Sequence, residues 1–93
     1  MVKLDAGNVL LKPSHRRQVM AWLKRPLRLG EKLGDFGLMV SMSRTGRTYD
    51  VRADVRDAKG SFIYHTRQRD WRNALRDLAR NVSVRLHDQW LAR

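Results

Sequence analysis

Two carboxylates at close spacing are the first residues in this chain that could do chemistry. Asp50 and Asp54 lie four residues apart in a segment where apolar and polar residues alternate, so both would project from one face of a strand. Carboxylates placed in this way could ligate a divalent cation. Arg52 and Arg56 share the same face, however, and ion pairs are then the simpler use for the carboxylates. We expect salt bridges here, and no metal site.

The remaining polar residues do not assemble a catalytic set. His15, His65 and His87 are far apart in the sequence and lack the spacing of metal ligands. The chain has no Cys, which excludes disulfides and Cys-based zinc sites. The three glycines within residues 30–37 do not form a dinucleotide-binding motif and are interpreted as turn residues. The sequence predicts no enzyme, no cofactor and no small-molecule substrate.

Cationic side chains form the strongest pattern in the sequence. The 93 residues include 20 Lys and Arg against nine Asp and Glu, which gives a formal net charge of +11, and 15 of the 20 are Arg. Like charges repel one another in a compact chain, so a polyanionic partner is the simplest compensation. Arg suits phosphate because its planar guanidinium presents several donors in a fixed fork. We therefore expect a polyanionic partner, which the order of elements given below narrows to structured RNA.

The candidate RNA-binding residues fall into three groups. No acidic residue occurs between Ser14 and Gly30, and Arg16 and Arg17 would stand in a first helical turn, where they oppose the helix dipole. A second group recurs every four residues along the last predicted helix, where a solvated face bridged by Asp77 is the alternative. A third group would project from an open sheet face. The candidates are Arg16, Arg17, Lys24, Arg25 and Arg28 in the first group, Arg72, Arg76 and Arg80 in the second, and His65 and Arg67 in the third.

The elements of the first half follow from apolar periodicity and from prolines. Residues 2–11 predict a strand that is bulged or interrupted at a glycine. A helix follows, with Ser14 as its N-cap, and Pro26 is expected to end or kink it near residues 24–25, because proline lacks an amide donor. An irregular or short helical connection then leads to residue 37. Trp22 lies partly off the apolar line of the helix and could pack in the core or stack on a base.

The second half predicts three strands and a long helix. Apolar and polar residues alternate over residues 36–42, 49–56 and 61–67, with turns at 43–47 and 57–60. Asp70 is the expected N-cap of the last helix. Its apolar stripe comprises Trp71, Leu75, Leu78, Val82, Leu86 and Trp90. The predicted fold class is α+β in the order β-α-β-β-β-α, a four-stranded sheet with two helices packed on one face, as one domain over residues 1–93.

This order resembles the family of ribosome hibernation-promoting factors and ribosome-associated inhibitors. The alternating strand Tyr49-Asp-Val-Arg-Ala-Asp-Val55, the turn ending in Gly60 and the strand from Phe62 to Thr66 are similar to that family's central hairpin. Asp70-Trp-Arg-Asn-Ala-Leu75 is similar to its helix entry, and Gly7 followed by Pro13 to its opening strand and helix start. The chain departs from the pattern where Ser14 follows the proline, where Pro26 shortens the helix, and in the arginines of the last helix.

The resemblance implies a factor that binds the small ribosomal subunit and its rRNA. Members of the family occupy the channel for messenger and transfer RNA, so the expected action is steric, with arginines and lysines on rRNA phosphates and no catalysis. The chain would be a monomeric short form. With Asp5 and Gly7 where a signal peptide needs an apolar run, and no stretch long enough to span a membrane, we expect a cytoplasmic protein. The alternatives are a domain like those that bind double-stranded RNA, and a protein-interaction module that uses the open sheet face.

Overall fold

The computed structural model describes residues 2–32, 34, 36–57 and 60–91, without the side chain of Trp90. Within these residues the predicted order β-α-β-β-β-α is confirmed, with the first helical region divided in two. The elements are β1 (Val2–Asp5), α1 (Pro13–Trp22), α2 (Lys24–Glu31), β2 (Phe36–Thr45), β3 (Thr48–Asp57), β4 (Gly60–Gln68) and α3 (Trp71–Leu91).

The four strands form one mixed sheet in the order β1-β2-β3-β4. Strand β1 pairs with β2 in parallel, from Val2 opposite Leu38 to Asp5 opposite Ser41, whereas the other neighbours are antiparallel. A parallel pair needs a long crossover connection, which α1 and α2 supply. The antiparallel pairs are joined by short hairpins. The sheet is thus built from one crossover unit and one three-stranded meander.

Alternation along the strands puts the apolar residues on the face that the helices cover. Leu38, Val40 and Met42 on β2 are buried with Val51, Ala53 and Val55 on β3, while their chain neighbours are mostly exposed or half-buried. From α3, the buried residues Leu75, Leu78, Val82 and Leu86 pack into the same core, and Val19 and Leu23 join them from the first helical region. The prediction of helices on one face and an open opposite face is confirmed. Of the described helices, none is both long enough and apolar enough to cross a bilayer.

Strand β1 is shorter than the sequence predicts. The prediction of a strand as far as residue 11 is wrong beyond Asp5, whose carboxylate accepts a hydrogen bond from the amide of Gly7 at 2.9 Å. The amide of Val9 then donates to the carbonyl of Ala6, also at 2.9 Å, and closes a turn. The side chain of Asn8 continues the pairing in place of backbone, since it bonds both the amide and the carbonyl of Arg44. Strand β2 is therefore paired with backbone as far as Asp5 and with the side chain of Asn8 beyond it.

The first helical region kinks at Leu23, just before the position predicted from Pro26. Leu23 has φ −79° and ψ −7°, and it still donates to Val19 and accepts from Leu27, so the two helices are nearly continuous. Pro26 is the third residue of α2. The first turn of a helix has amides without an intrahelical partner, so a proline there removes no bond of α2 itself. The connection is helical as far as Glu31 and not irregular.

The glycines of this connection have different roles. The interpretation of all three as turn residues is wrong for Gly30, which lies in α2, and for Gly37, which lies in β2. A Cβ at Gly30 would clash with the ring of Phe36, so the small residue lets the start of β2 approach the helix. Only Gly34 lies between elements, with φ +100°. Close packing, which sequence spacing does not reveal, accounts for Gly30, whereas a Cβ at Gly37 would meet nothing within 4 Å.

The two predicted N-caps have opposite outcomes. Lys12, not Ser14, is the N-cap residue of α1, and Pro13 occupies the first helical position, so the prediction for Ser14 is wrong. Proline is favoured at that position because its fixed φ is helical and its missing amide has no partner there anyway. Asp70 caps α3 as predicted, since its carboxylate accepts from the amide of Arg72 at 2.9 Å. The first backbone bond of α3 also begins at Asp70, from the amide of Ala74 at 3.0 Å.

We expect Asp70→Ala to lower the free energy of unfolding by about 1 kcal/mol, because the amide of Arg72 loses its acceptor. Ser14→Ala is the matched control, since it is also a substitution of a predicted cap by Ala at the start of a helix. It should change stability by less than about 0.5 kcal/mol. Urea denaturation followed by circular dichroism measures both. Equal losses would contradict the assignment of these caps.

Candidate nucleic-acid interface

The net charge of the chain is concentrated in its helices. Within the bounds of α1, α2 and α3 there are nine Lys and Arg residues and only three acidic residues. On the open face of the sheet, four cationic residues (Lys3, Arg52, Arg56 and Arg67) alternate with three carboxylates (Asp5, Asp50 and Asp54). A nearly balanced face attracts a polyanion weakly, whereas a large excess of one sign attracts it strongly. The helical layer is therefore the better candidate for binding RNA.

Four cations of the acid-free segment have no acidic partner in the described part of the chain. Arg17, Lys24, Arg25 and Arg28 are exposed, and no carboxylate of the described residues lies within ion-pair distance of them. Arg16 differs, because its guanidinium donates to the backbone carbonyl of Leu4 on the edge strand at 3.1 Å. Arg16 thus also contributes to the fold. The four others are charges for which the described structure offers no intramolecular compensation.

A groove between the first helical region and α3 joins the two predicted basic clusters. We call it the interhelical groove; it has a volume of about 490 Å³. Arg25 lines one side of it, and Arg76 and Arg80 line the other. The guanidinium of Arg76 lies over the ring of Trp22, 5.0 Å from the ring centroid. Among the described residues, the lining consists of Trp22, Arg25, Leu29, Arg76, Ala79, Arg80, Ser83, Val84 and His87.

The other cations of the first cluster face a different groove. Arg16, Arg17 and Lys24 line a groove between α1 and strand β1, together with Val2, Leu4, Pro13, Met20 and Ala21. Arg28 is exposed and lines neither groove. The cations of the acid-free segment therefore lie on different sides of the helical region. Arg25 lines the groove next to α3, whereas Arg16, Arg17 and Lys24 line the groove next to the edge strand β1.

The ridge on α3 is held in place by its neighbours. The guanidinium of Arg72 lies 4.8 Å from the ring centroid of Trp71 and 3.4 Å from a ring nitrogen of His15, so it bridges the starts of α3 and α1. Arg80 forms an ion pair of 3.1 Å with Asp77, whose other oxygen accepts from Gln68 at 2.6 Å. The expected bridging by Asp77 thus applies to Arg80 alone among the three arginines of the ridge.

His65 and Arg67 lie on the open face of the sheet, away from the other candidates. The Nε of Arg67 donates to Asp50 at 2.8 Å, and Nε2 of His65 lies 3.3 Å from the same carboxylate oxygen. Arg52 pairs with Asp54 at 3.2 Å, so both carboxylates form salt bridges; the predicted cross-strand pairing is confirmed for Asp50, whereas the bridge of Asp54 stays within β3. No group of three or more His, Asp or Glu side chains that could hold a metal occurs among the residues described. One flat RNA surface could not contact both faces at once.

The hydrogen bond from Arg67 holds the pKa of Asp50 below its ordinary value of 3.8, and His65 adds to this effect. A carboxylate whose pKa is lowered by folding stabilises the protein above its unfolded pKa, and the contribution is lost as the pH falls through the folded pKa. We therefore expect Arg67→Gln to raise the pKa of Asp50 and to reduce the loss of stability on acidification below about pH 4. Carboxyl-carbon NMR titration measures the pKa; Arg56→Gln, on the same face, is the control and should leave it nearly unchanged.

Two aromatic side chains that line the interhelical groove, those of His87 and Trp22, were not among the RNA-binding candidates from the sequence. His87 follows Arg80 by seven residues, the repeat that returns to the same side of a helix, so periodicity could have identified it. The sequence predicts either a core position or base stacking for Trp22. In the structure its side chain is half-buried and packs against the core, and it also lines the groove. The contact between Trp22 and Arg76 depends on how α1 packs on α3, and no local sequence pattern predicts that packing.

Comparison with known proteins identifies the fold. No protein-family model matches the chain, and no curated protein is similar to it in sequence. Among solved structures, the N-terminal domain of Protein Y from Thermus thermophilus matches with a TM-score of 0.76 and 19% identity over 90% of this chain and 91% of that one. A ribosomal subunit interface protein from Coxiella burnetii matches with a TM-score of 0.74 and 15% identity over 99% of this chain and 98% of that one. At these identities the likeness shows the fold, and it confirms the fold that the resemblance in the sequence implied.

Proposed function

We propose that this chain is a ribosome-associated factor of the hibernation type, which binds the small ribosomal subunit through its helical layer. The observation that carries the proposal is the excess of cations on α1, α2 and α3, four of them without an acidic partner among the described residues, on a fold shared with a ribosomal subunit interface protein. Ribosomal RNA is a polyanion of the kind that this excess of cations would attract. Release of counterions from its phosphates would then drive binding.

The proposed mechanism is steric and needs no catalysis. Arg17, Lys24, Arg25 and Arg28 neutralise phosphates, and Arg72, Arg76 and Arg80 extend the contact along α3. The packed sheet and helices form a body that excludes messenger and transfer RNA from the channel it occupies. Translation stops because the channel is filled, and it resumes when the factor dissociates.

Two other functions make different predictions. A domain for double-stranded RNA has the order α-β-β-β-α, whereas here β1 adds a parallel strand to the sheet; such a domain would bind a plain RNA duplex as tightly as the ribosome. A protein-interaction module would use the open sheet face, where Met39 and Ile63 are the exposed large apolar residues. Its affinity for a protein partner would depend little on salt. The ribosomal proposal requires tighter binding to the ribosome than to a plain duplex, and an affinity that falls as the salt concentration rises.

Sedimentation with purified ribosomal subunits tests the proposal. We expect the protein to co-migrate with small subunits and whole ribosomes at low salt, to leave them as the salt concentration rises, and not to co-migrate with isolated large subunits. An in vitro translation reaction with the same subunits then tests whether occupancy and inhibition rise together. Failure to co-migrate with small subunits at low salt would contradict the proposed function.

A further inference from the structure

The floor of the interhelical groove is apolar although the surrounding surface is highly charged. Trp22 and Leu29 form one wall, and Ala79 and Val84 form the other. Val84 is 56% exposed, and its position on α3 faces away from the core. A cavity of about 490 Å³ falls within the range of roughly 300–1,000 Å³ that small-ligand sites occupy. A surface that only neutralised phosphates would need no such floor.

The rim of this groove is cationic. Arg25, Arg76 and Arg80 border it, and none of the nine described residues that line it is acidic. Arg25 has no carboxylate within ion-pair distance in the described structure, and Arg76 lies over the ring of Trp22, so both guanidinium groups keep donors for a ligand. An apolar floor beneath a cationic rim is complementary to a ligand that is flat and apolar on one side and anionic on the other.

From this geometry we propose that the interhelical groove binds one unstacked nucleotide of a single-stranded RNA segment. The base lies against Trp22, Arg76 and Val84, and Arg25 and Arg80 contact the flanking phosphates. An unstacked base can rest on an aromatic ring or on a guanidinium plane, whereas a base inside a duplex offers no free face. The inference rests on the proposed function only in taking RNA as the ligand. It adds that RNA with a looped or unpaired segment is preferred to a continuous duplex.

Fluorescence anisotropy with two RNA probes tests the proposal. One probe is a labelled single strand of about 12 nucleotides, and the other is the same strand annealed to its complement. We expect Trp22→Leu to weaken binding of the single strand about tenfold and to change duplex binding little. Trp71→Leu is the matched control, because Trp71 is also half-buried beside a guanidinium, that of Arg72, but lies outside the groove. Equal losses for the two probes, or for the two variants, would overturn the proposal.

A second pair of variants keeps the test valid if Trp22→Leu does not fold. Val84→Glu places a carboxylate on the floor of the groove, where it should repel the phosphates and displace the base. Ile63→Glu is the control, since Ile63 is 54% exposed and lies on the opposite face of the sheet. We expect the first variant to lose at least tenfold in affinity for the single strand and the second to lose much less. Equal effects would show that only net charge matters and would overturn the proposal.

Two further measurements separate this inference from the proposed function. An oligoglutamate with the same number of charges as the single strand has no base, so competition as strong as that of RNA would overturn the inference and favour an acidic peptide. Sedimentation of the wild-type protein with small subunits is independent of the oligonucleotide results. If sedimentation fails while the discrimination by Trp22 holds, the ribosomal proposal fails and the nucleotide site stands; the reverse pattern overturns the site alone.

Discussion

Replacing Arg17, Lys24, Arg25 and Arg28 by Gln is expected to weaken binding to the small ribosomal subunit by about 100- to 1,000-fold at roughly 0.1 M salt. These side chains are exposed and have no carboxylate partner in the described part of the chain, so the substitutions break no ion pair there. Each lost phosphate contact should reduce the slope of log affinity against log salt by about 0.7–0.9. The four together should lower the slope by about 3, so the variant and the wild-type protein should converge near roughly 1 M salt. Sedimentation or anisotropy over a salt series measures both quantities.

The sequence offers a control with the same charge change. Lys3, Arg47, Arg56 and Arg69 are also one Lys and three Arg, they are exposed, and none has an ion pair among the described residues. They lie on the open sheet face, in a hairpin turn and in the loop before α3. Replacing these four by Gln should cost less than about tenfold, through the long-range field alone. If both sets of substitutions have the same effect, the helical layer is not the binding surface.

The substitution with the largest expected effect on stability is Gly7→Ala, at about 3 kcal/mol. Gly7 has φ +56°, in the left-handed region that costs other residues roughly 1–2 kcal/mol. A Cβ at this position would also clash with the backbone carbonyl oxygen of Met42, which is fixed in the middle of the sheet. Relief requires the turn to move away from β2, which would pull Asn8 from its two hydrogen bonds with Arg44. For a chain of this size the loss corresponds to a fall in melting temperature of roughly 12–24 °C.

Gly46→Ala is the control that separates backbone conformation from the steric clash. Gly46 has a nearly identical φ of +61°, in the two-residue turn between β2 and β3, but a Cβ there would meet nothing within 4 Å. Its cost should be limited to the conformational part, about 1–2 kcal/mol. Thermal and urea unfolding of the two variants give the difference directly. Equal losses would mean that the contact between Gly7 and Met42 does not restrict the turn.

Local patterns predicted those parts of the fold that local physics determines. The alternation of β3 and the stripe of α3 were predicted correctly because each element buries one face, and burial leaves a period in the sequence. One error arose where a distant contact decides the outcome, and another where an adjacent residue does. Residues 6–11 leave the strand because Gly7 and Asn8 are held by Met42 and Arg44. Ser14 is not a cap because Pro13 already occupies the first helical position.

The candidate site was predictable to a similar degree. Charge counting indicated the helices, and a spacing of four residues predicted a common ridge for Arg72, Arg76 and Arg80. Neither could show that Arg25 and Arg76 line the same groove, because the two residues lie 51 positions apart in the sequence and no local pattern relates them. The position of Arg67 beside Asp50 is also a long-range contact, because it results from the pairing of β3 with β4. Which cations share a surface is a tertiary property.

The aromatic contacts of α3 have a consequence for the timing of binding. Three of its arginines, Arg72, Arg76 and Arg85, lie over the rings of Trp71, Trp22 and Phe62. By contrast, Arg17, Lys24, Arg25 and Arg28 on α1 and α2 are exposed and have no acidic partner among the described residues. A side chain that is already positioned loses less rotamer entropy when it meets a ligand. Under the proposed function, these exposed cations on α1 and α2 would govern the rate of association with the ribosome at a given salt concentration. The arginines over aromatic rings would govern the dissociation rate, and thus the time for which each ribosome remains inhibited.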